Sequence, residues 1–164
     1  MSQVQLDPGI LSGAANKTVL VTGAARGIGA ATAALFNHHG ANVVIADLAQ
    51  FRETAEQLIQ SQFSNPERVL FIPGNIVDWA QLTACFKIAV DRFGGIDIVV
   101  ANAGIMESSP VLALDDVDEN GSLLENDEAG RVIDVNLKGT LNSMPHCSFG
   151  HCGFYLGSTL YLRL

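Results

Sequence analysis

The sequence predicts an α/β fold, a doubly wound parallel sheet with helices on both of its faces. Three observations lead to this prediction. Short apolar runs alternate with longer amphipathic runs, a glycine-rich turn follows the first apolar run, and an acidic residue ends the second. Strands that alternate with helices pair in parallel through right-handed crossovers. We expect the first four strands to lie in the order 3-2-1-4.

The first strand and its turn form the most informative stretch. Residues 18–21 are a β-prone run, too short for a helix, that stops at a breaker. Gly23 would permit a sharp turn off the strand, Gly27 would let a ligand approach bare backbone, and Gly29 would let the following helix pack closely. Free N–H groups and the partial positive charge at a helix start favour a bound pyrophosphate.

The next helix and strand complete a nucleotide-binding pattern. We expect the helix to turn one apolar face to the sheet: Ile28, Thr32, Leu35 and Phe36. The second strand, residues 42–46, ends at Asp47. This acid follows the turn by about 20 residues, where a carboxylate can accept the ribose hydroxyls of adenosine. Strand, turn, helix, strand and acid in this order favour a nucleotide site over an ordinary flexible loop.

The remaining elements follow the same alternation. We predict a second helix over residues 50–62, a third strand over 69–72, a fourth strand over 96–100, an acidic loop over 105–130 and a helix over 131–140. A third helix, closed by Gly94 and Gly95, should present one apolar stripe: Trp79, Leu82, Phe86, Ala89, Val90 and Phe93. We interpret Trp79 as a packing aromatic rather than a cofactor contact.

Composition narrows the classes of function. The 164 residues can form one domain with a real core. A net charge of −8 argues against nucleic acid and against an anionic membrane surface as partners. No apolar run reaches the roughly 18 residues of a membrane span, and the first residues do not resemble a signal peptide. Three cysteines form no disulfide framework. We therefore expect a cytoplasmic protein.

Three motifs carry a resemblance to a known family. Residues 22–29 read Thr-Gly-Ala-Ala-Arg-Gly-Ile-Gly, which resembles the Thr-Gly-x-x-x-Gly-x-Gly of short-chain dehydrogenases/reductases. Residues 101–104 resemble that family's Asn-Asn-Ala-Gly, with Ala101 replacing the first Asn, and residues 135–139 resemble the segment that carries its catalytic Asn. The resemblance covers residues 17 to about 144. It implies a Rossmann fold and hydride transfer between a nicotinamide cofactor and an alcohol or carbonyl.

The resemblance also implies cofactor contacts. The residues that contact the pyrophosphate and the nearby ribose would be Gly23, Gly27, Ile28 and Gly29. The residues that contact adenine and its ribose would be Asp47, Asn75, Asn102 and Ala103. Arg26 stands where some NADP-using relatives have a basic residue. A carboxylate beside the ribose 2′ position repels a 2′-phosphate, whereas an arginine attracts one. Since Asp47 would touch the hydroxyls directly, we expect NAD rather than NADP.

The family's catalytic segment has no match. The family uses a Ser and a Tyr-x-x-x-Lys pair. In this pair the Lys lowers the pKa of the Tyr phenol, which is ordinarily about 10. Tyr155 is followed four residues later by Thr159, Tyr161 has only three residues after it, and the lysines are Lys17, Lys87 and Lys138. Of the family's catalytic residues only Asn136 remains, so we expect this chain by itself to be inactive as an oxidoreductase.

These observations suggest a division of the chain. Residues 1–16 would be a loosely ordered lead-in, 17–144 a dinucleotide-binding domain and 145–164 a divergent tail. We predict truncation or a frame shift after about residue 144, loss of the family's C-terminal strands and helices with the substrate pocket, and impaired homo-oligomerisation. Within the tail, residues 154–162 have strand-like composition and could cover the edge of strand four.

Other interpretations remain open. His146, Cys147, His151 and Cys152 could suggest zinc, but adjacent His-Cys pairs chelate awkwardly, and we predict no metal site. A non-catalytic nucleotide-binding or interaction protein is the main alternative function. A methyltransferase with a related fold is a third, disfavoured by the motifs around Asn102 and Asn136.

Overall fold

The computed structural model describes residues 11–110 and 115–144, together with the backbone of residues 153–156 and 160–162. Within these ranges six strands form one sheet in the order β3-β2-β1-β4-β5-β6. The strands are β1 Thr18–Thr22, β2 Asn42–Asp47, β3 Val69–Pro73, β4 Ile98–Ala101, β5 Gly153–Leu156 and β6 Leu160–Leu162. Neighbouring strands are parallel except for β5 and β6. The predicted order 3-2-1-4 is confirmed.

Three of the helices in the described part of the chain connect the first four strands, and two more follow β4. They are α1 Gly27–His38, α2 Arg52–Gln62, α3 Trp79–Phe93, α4 Asp127–Ile133 and α5 Thr140–Ser143, with short 3₁₀ turns at Ser12–Ala14, Ala49–Phe51 and Pro66–Arg68. A π-helical turn, Asp134–Gly139, joins α4 directly to α5. Such turns inside α-helices often occur at functional positions.

Alternate residues of the strands enter two separate cores. Val19 and Val21 of β1 pack under α1 and α2, whereas Leu20 packs on the opposite face of the sheet, under α3 and the α4–α5 helix. Successive side chains of a strand point to opposite faces, so a strand buried on both sides is apolar throughout. The predicted placement of helices on both faces is confirmed.

The predicted buried face of α1 is only partly right: Phe36 packs against the core, whereas Ile28 and Leu35 are exposed. Ile28 is 80% exposed. The helix instead buries Gly29, Ala30, Ala33 and Asn37. These small residues bring the helix backbone close to the sheet, and Asn37 exchanges hydrogen bonds with Asn65 at 2.8–3.0 Å. The prediction gave too much weight to large apolar side chains where close packing needs small ones.

Two other predicted helices need correction. In α3 the buried residues are Leu82, Cys85, Phe86 and Ala89, so Cys85 belongs to the core. Trp79, at the start of this helix, is 51% exposed and lies outside both cores.

The α4 helix begins at Asp127 rather than at residue 131, because the Asn126 side chain caps it by accepting from the N–H of Glu128.

Residues of the tail extend the sheet beyond β4. The backbone of β5 pairs in parallel with β4, with Ile98 opposite Gly153, and β6 returns antiparallel to β5. Strand-like residues at 154–162 were predicted to cover this edge, and the backbone pairing agrees. The His and Cys residues considered for zinc lie outside the described residues, as do residues 1–10.

Two kinds of feature are absent from the described residues. None of their helices has the length and apolarity needed to cross a membrane. No cluster of three or more His, Cys, Asp or Glu side chains in the described ranges could hold a metal ion.

Candidate functional site

A cavity of about 500 Å³ opens at the carboxyl ends of β1, β2, β3 and β4. Its lining residues are Gly23, Arg26, Ile28, Ala46, Asp47, Leu48, Phe51, Gly74, Asn75, Ile76, Val77, Asn102, Ala103, Gly104, Ile105, Arg131 and Val135. Open parallel sheets bind ligands in the crevice outside the carboxyl ends of their strands. Seven predicted cofactor residues therefore meet at one cavity, whereas Gly27, Gly29 and Asn136 are outside its lining.

The glycines of the turn have three different environments. Gly23 has a φ of +65°, and a Cβ there would lie 2.7 Å from the Cα of Ala103. Gly27 has a φ of +60° and faces open space. A Cβ at Gly29 would lie 2.5 Å from both the Asn102 Nδ2 and the carbonyl oxygen of Gly23. Gly23 and Gly29 thus allow the turn to pack against the end of β4, and Gly27 permits the left-handed backbone at the helix start.

The start of α1 has no side-chain cap. Arg26, the residue before its first turn, is extended and makes no capping hydrogen bond. The first N–H groups of a helix lack partners within the helix and carry partial positive charge. This end of α1 follows the turn that lines the cavity, so it can attract an anionic group there.

Asp47 links the end of β2 to this turn. Its Oδ2 accepts from the N–H of Ala25 at 2.9 Å, and its Oδ1 accepts from the N–H of Leu48 at 2.8 Å. Each carboxylate oxygen retains further acceptor capacity. The side chain therefore holds the turn in place and still brings a negative charge to the cavity.

Asn75 lines the cavity but already has a local partner for its side chain. Its Oδ1 accepts from the N–H of Val77 at 3.1 Å, while its own N–H donates to Gln81 Oε1 at 3.1 Å. This is the amide oxygen that was predicted to accept from adenine. An amide oxygen has two lone pairs, so one remains for a ligand.

Thr22 is a positioning residue that the motif contained without a role. Its buried Oγ1 accepts from the N–H groups of both Asn102 and Ala103 at 3.1 Å. The Asn102 Nδ2 donates in return to the carbonyl oxygens of Thr22 and Gly23, at 3.0 and 3.2 Å. Asn102 therefore fastens the end of β4 to the turn after β1, and this pairing could be found only from the register of the two strands.

Asn136 lies on the π-helical turn and clamps the chain that follows β4. Its Oδ1 accepts from the N–H of Ile105 at 2.8 Å, and its Nδ2 donates to the carbonyl oxygen of Ile105 at 2.9 Å. Its own carbonyl oxygen accepts from Thr140 Oγ1 at 2.8 Å. In the described residues Asn136 thus positions one wall of the cavity without lining it.

Arg131 begins the predicted helix 131–140 but was given no role, because its partner Glu128 lies in the predicted acidic loop. Its Nε and Nη2 donate to the two oxygens of Glu128 at 2.9 and 2.6 Å. Glu128 also accepts from the N–H and Oγ of Ser108. The Arg131 guanidinium, followed by the Ser108 N–H, lowers the pKa of Glu128 to about 2. The pair joins α4 to the loop after β4, and Arg131 lines the cavity.

A second arginine, Arg26, also lines the cavity. The Arg26 guanidinium lies over the Phe51 ring, 4.3 Å from its centroid. Both residues line the cavity together with Asp47. A guanidinium is attracted to the face of an aromatic ring by the ring's quadrupole.

The described lining joins an apolar wall to a few polar groups. Among the described residues it combines apolar side chains with one carboxylate, two guanidinium groups and the amides of Asn75 and Asn102, and it contains no His, Cys, Ser, Tyr or Lys. A pocket with few polar groups on an apolar wall orients a ligand. General acid–base catalysis needs a group whose pKa lies near the working pH, and the described lining offers none of the usual types except Asp47.

Comparisons with known proteins agree with this geometry. The family model for short chain dehydrogenase matches residues 17–148. The chain is 34% identical over 129 residues to an uncharacterized oxidoreductase of Listeria monocytogenes, covering 79% of this chain and 47% of that protein. It is 38% identical over 129 residues to galactitol 2-dehydrogenase of Agrobacterium fabrum, covering 79% and 44% of the two chains.

The fold is similar to solved structures. One is 3-ketoacyl-(acyl-carrier-protein) reductase from Brucella melitensis complexed with NADH, with a TM-score of 0.66, 29% identity, and 82% of this chain and 51% of that chain covered. The predicted Rossmann fold is confirmed. The chain spans about half the length of the curated relatives and solved structures it matches.

Proposed function

The chain belongs to the short-chain dehydrogenase family, and we propose that its residues 17–144 form a binding domain for NAD. The observation that supports this most strongly is the cavity at the carboxyl edge of the sheet. There the uncapped start of α1 adjoins the Asp47 carboxylate, which is hydrogen-bonded to the turn between them. The helix start offers partial positive charge for a pyrophosphate, and the Asp47 carboxylate offers acceptors for ribose hydroxyls.

The choice of NAD over NADP depends on Asp47. A carboxylate that already accepts from the N–H groups of Ala25 and Leu48 is held in place at the cavity. It can accept from vicinal ribose hydroxyls and repels a 2′-phosphate at the same position. The NADH bound to the Brucella melitensis reductase supports the same choice.

The activity of the parent family would be hydride transfer between this nicotinamide and an alcohol or carbonyl. The names of relatives such as galactitol 2-dehydrogenase are consistent with that reaction class. In the 164 residues no Tyr is followed four residues later by Lys. We propose that these residues alone bind the dinucleotide without turnover, which is also what a non-catalytic nucleotide-binding protein would do. The described cavity lining offers Asp47 but no His, Cys, Tyr or Lys, which favours that second candidate.

Two matched glycine substitutions test the binding proposal. Gly27 and Gly94 both have left-handed backbone, with φ of +60° and +83°, and a Cβ at either would meet open space. Gly94 caps the end of α3 that leads to the start of β4, whereas Gly27 lies between the lining residues Arg26 and Ile28. Gly27→Val and Gly94→Val should each lower the free energy of unfolding by about 1–3 kcal/mol through backbone strain.

Only Gly27→Val should weaken NAD, because its side chain would stand where the pyrophosphate approaches the backbone. Calorimetric titration of the full chain and both variants measures this difference. Equal NAD affinity in the two variants would contradict the assignment of the glycine turn. An absence of NAD binding by the unsubstituted chain would contradict the proposed function.

A further inference from the structure

The stack of Arg26 on Phe51 lines the same cavity as the carboxylate proposed to select the cofactor. Phe51 ends the 3₁₀ turn Ala49–Phe51 that follows β2, and its half-buried ring packs against the core under α1 and α2. The ring is therefore a fixed platform. The Arg26 guanidinium lies 4.3 Å from its centroid.

The backbone next to Arg26 is hydrogen-bonded to Asp47, but the Arg26 side chain forms no salt bridge with this carboxylate. The preceding residue, Ala25, donates its N–H to Asp47 Oδ2 at 2.9 Å. The salt bridges found among the described residues involve Lys17, Arg52, Lys87, Arg131 and Lys138, and none of them joins Arg26 to a carboxylate. Since guanidinium groups match carboxylates and phosphates well, the Phe51 ring competes with the Asp47 carboxylate for Arg26.

We propose that Phe51 is a positioning residue that holds the Arg26 guanidinium on its ring, away from the ribose 2′ site at Asp47, and thereby strengthens the preference for NAD over NADP. The inference rests on the proposed function. A released guanidinium would neutralise part of the Asp47 charge and could bind a 2′-phosphate. The stack thus keeps the Asp47 charge unpaired, which suits two hydroxyls and disfavours the phosphate.

The test measures the ratio of NADP to NAD dissociation constants for the full chain and its variants. Phe51→Leu keeps apolar bulk over the core but removes the ring face. The attraction of an exposed cation–π pair corresponds to about a two- to fivefold change in equilibrium. Phe51→Leu should therefore shift the ratio about two- to fivefold toward NADP. Phe51→Tyr, which keeps an aromatic ring at this position, should leave the ratio as it is in the unsubstituted chain.

The change in the NADP-to-NAD ratio caused by Phe51→Leu should depend on the Arg26 side chain. In an Arg26→Ala background, Phe51→Leu should leave the ratio unchanged. Arg92→Ala is the matched control, because Arg92 lies over Phe93 at 4.9 Å near the end of α3, outside the cavity lining, and its removal changes net charge equally. It should not suppress the Phe51→Leu shift. Thermal melting of each variant checks that it is folded.

Three results would overturn the inference while leaving NAD binding intact. They are an unchanged ratio in folded Phe51→Leu, a shift toward NAD, and an equal shift with and without Arg26. If the unsubstituted chain binds neither nucleotide, the proposed function fails first and the inference fails with it.

Discussion

At the scale of single residues, the Asp47 carboxylate is the group on which the account depends most. It accepts backbone N–H groups from two segments, and in the proposed complex it would also receive ribose hydroxyls. Hydrogen bonds to a charged acceptor are worth about 1.5–3 kcal/mol, more than those to a neutral one. The charge of Asp47, beyond its shape, should therefore control nucleotide affinity.

Asp47→Asn keeps the size and one acceptor oxygen but removes the charge. NAD affinity should fall roughly tenfold, the equivalent of about 1.4 kcal/mol, while NADP affinity should fall less or rise. Calorimetric titration with both nucleotides measures the two changes.

Asp97 provides a matched control for this substitution. It accepts the N–H of Thr18 at 2.8 Å and pairs with Lys17 at the opposite edge of the sheet. Asp97→Asn should lower stability without changing either affinity. NAD binding that is unaffected by Asp47→Asn, with NADP still excluded, would show that another group reads the ribose.

At the scale of elements, local signals predicted β1, β2, β3 and most of α2 and α3, because each is defined by its own apolar period and breakers. Burial was harder to predict. The apolar pattern predicted that Ile28 packs on the sheet, but Ile28 lines the cavity. The small residues Ala30 and Ala33 are buried instead, because they let α1 approach the sheet closely. The role of Thr22 depends on Asn102, which is 80 residues away, so no local pattern could reveal it.

The start of α4 was missed for a similar reason. An acidic run looks solvated when it is considered alone, but here Asn126 caps the helix and Glu128 binds both Arg131 and Ser108. These partners come from two segments separated by the loop after β4. The sequence therefore predicted that a helix exists near Asn136 better than it predicted where the helix begins.

Glu128 makes the stability of this region dependent on pH. Its ordinary pKa of 4.5 is lowered to about 2 by Arg131 and Ser108. A carboxyl whose pKa is lower in the folded state stabilises the fold fully above its unfolded pKa and loses this contribution as pH falls through the folded value. The contribution of Glu128 should thus be present above about pH 4.5 and disappear toward pH 2.

The melting temperatures of the unsubstituted chain and of Glu128→Gln should therefore differ most above pH 4.5 and converge toward pH 2. Circular dichroism at a series of pH values measures this difference. Glu56→Gln serves as the control, because Glu56 only forms an exposed pair with Arg52 at 3.5 Å, and such pairs contribute little. A constant difference between the two melting curves across this range would refute the role given to Glu128.

At the scale of the whole molecule, the edge of the sheet at β4 is covered by residues of the tail. Ile98 to Ala101 pair with β5, which is paired in turn with β6. An uncovered apolar strand edge templates association between chains. Deletion of residues 150–164 should therefore reduce soluble yield and promote aggregation, measured by size-exclusion chromatography beside the full chain. An unchanged yield and melting curve would argue that this pairing contributes nothing to the fold.

The central claim is that one cavity, at the carboxyl edge of the sheet, binds a nicotinamide dinucleotide. The most direct test follows the backbone amide signals of the full chain by NMR during titration with NAD. The account predicts saturable shifts that cluster in residues 23–29, 47–48, 74–77 and 102–105, with little change at Gly94 and Gly95 on the opposite edge. Saturable shifts centred elsewhere, or no shifts at all, would contradict it.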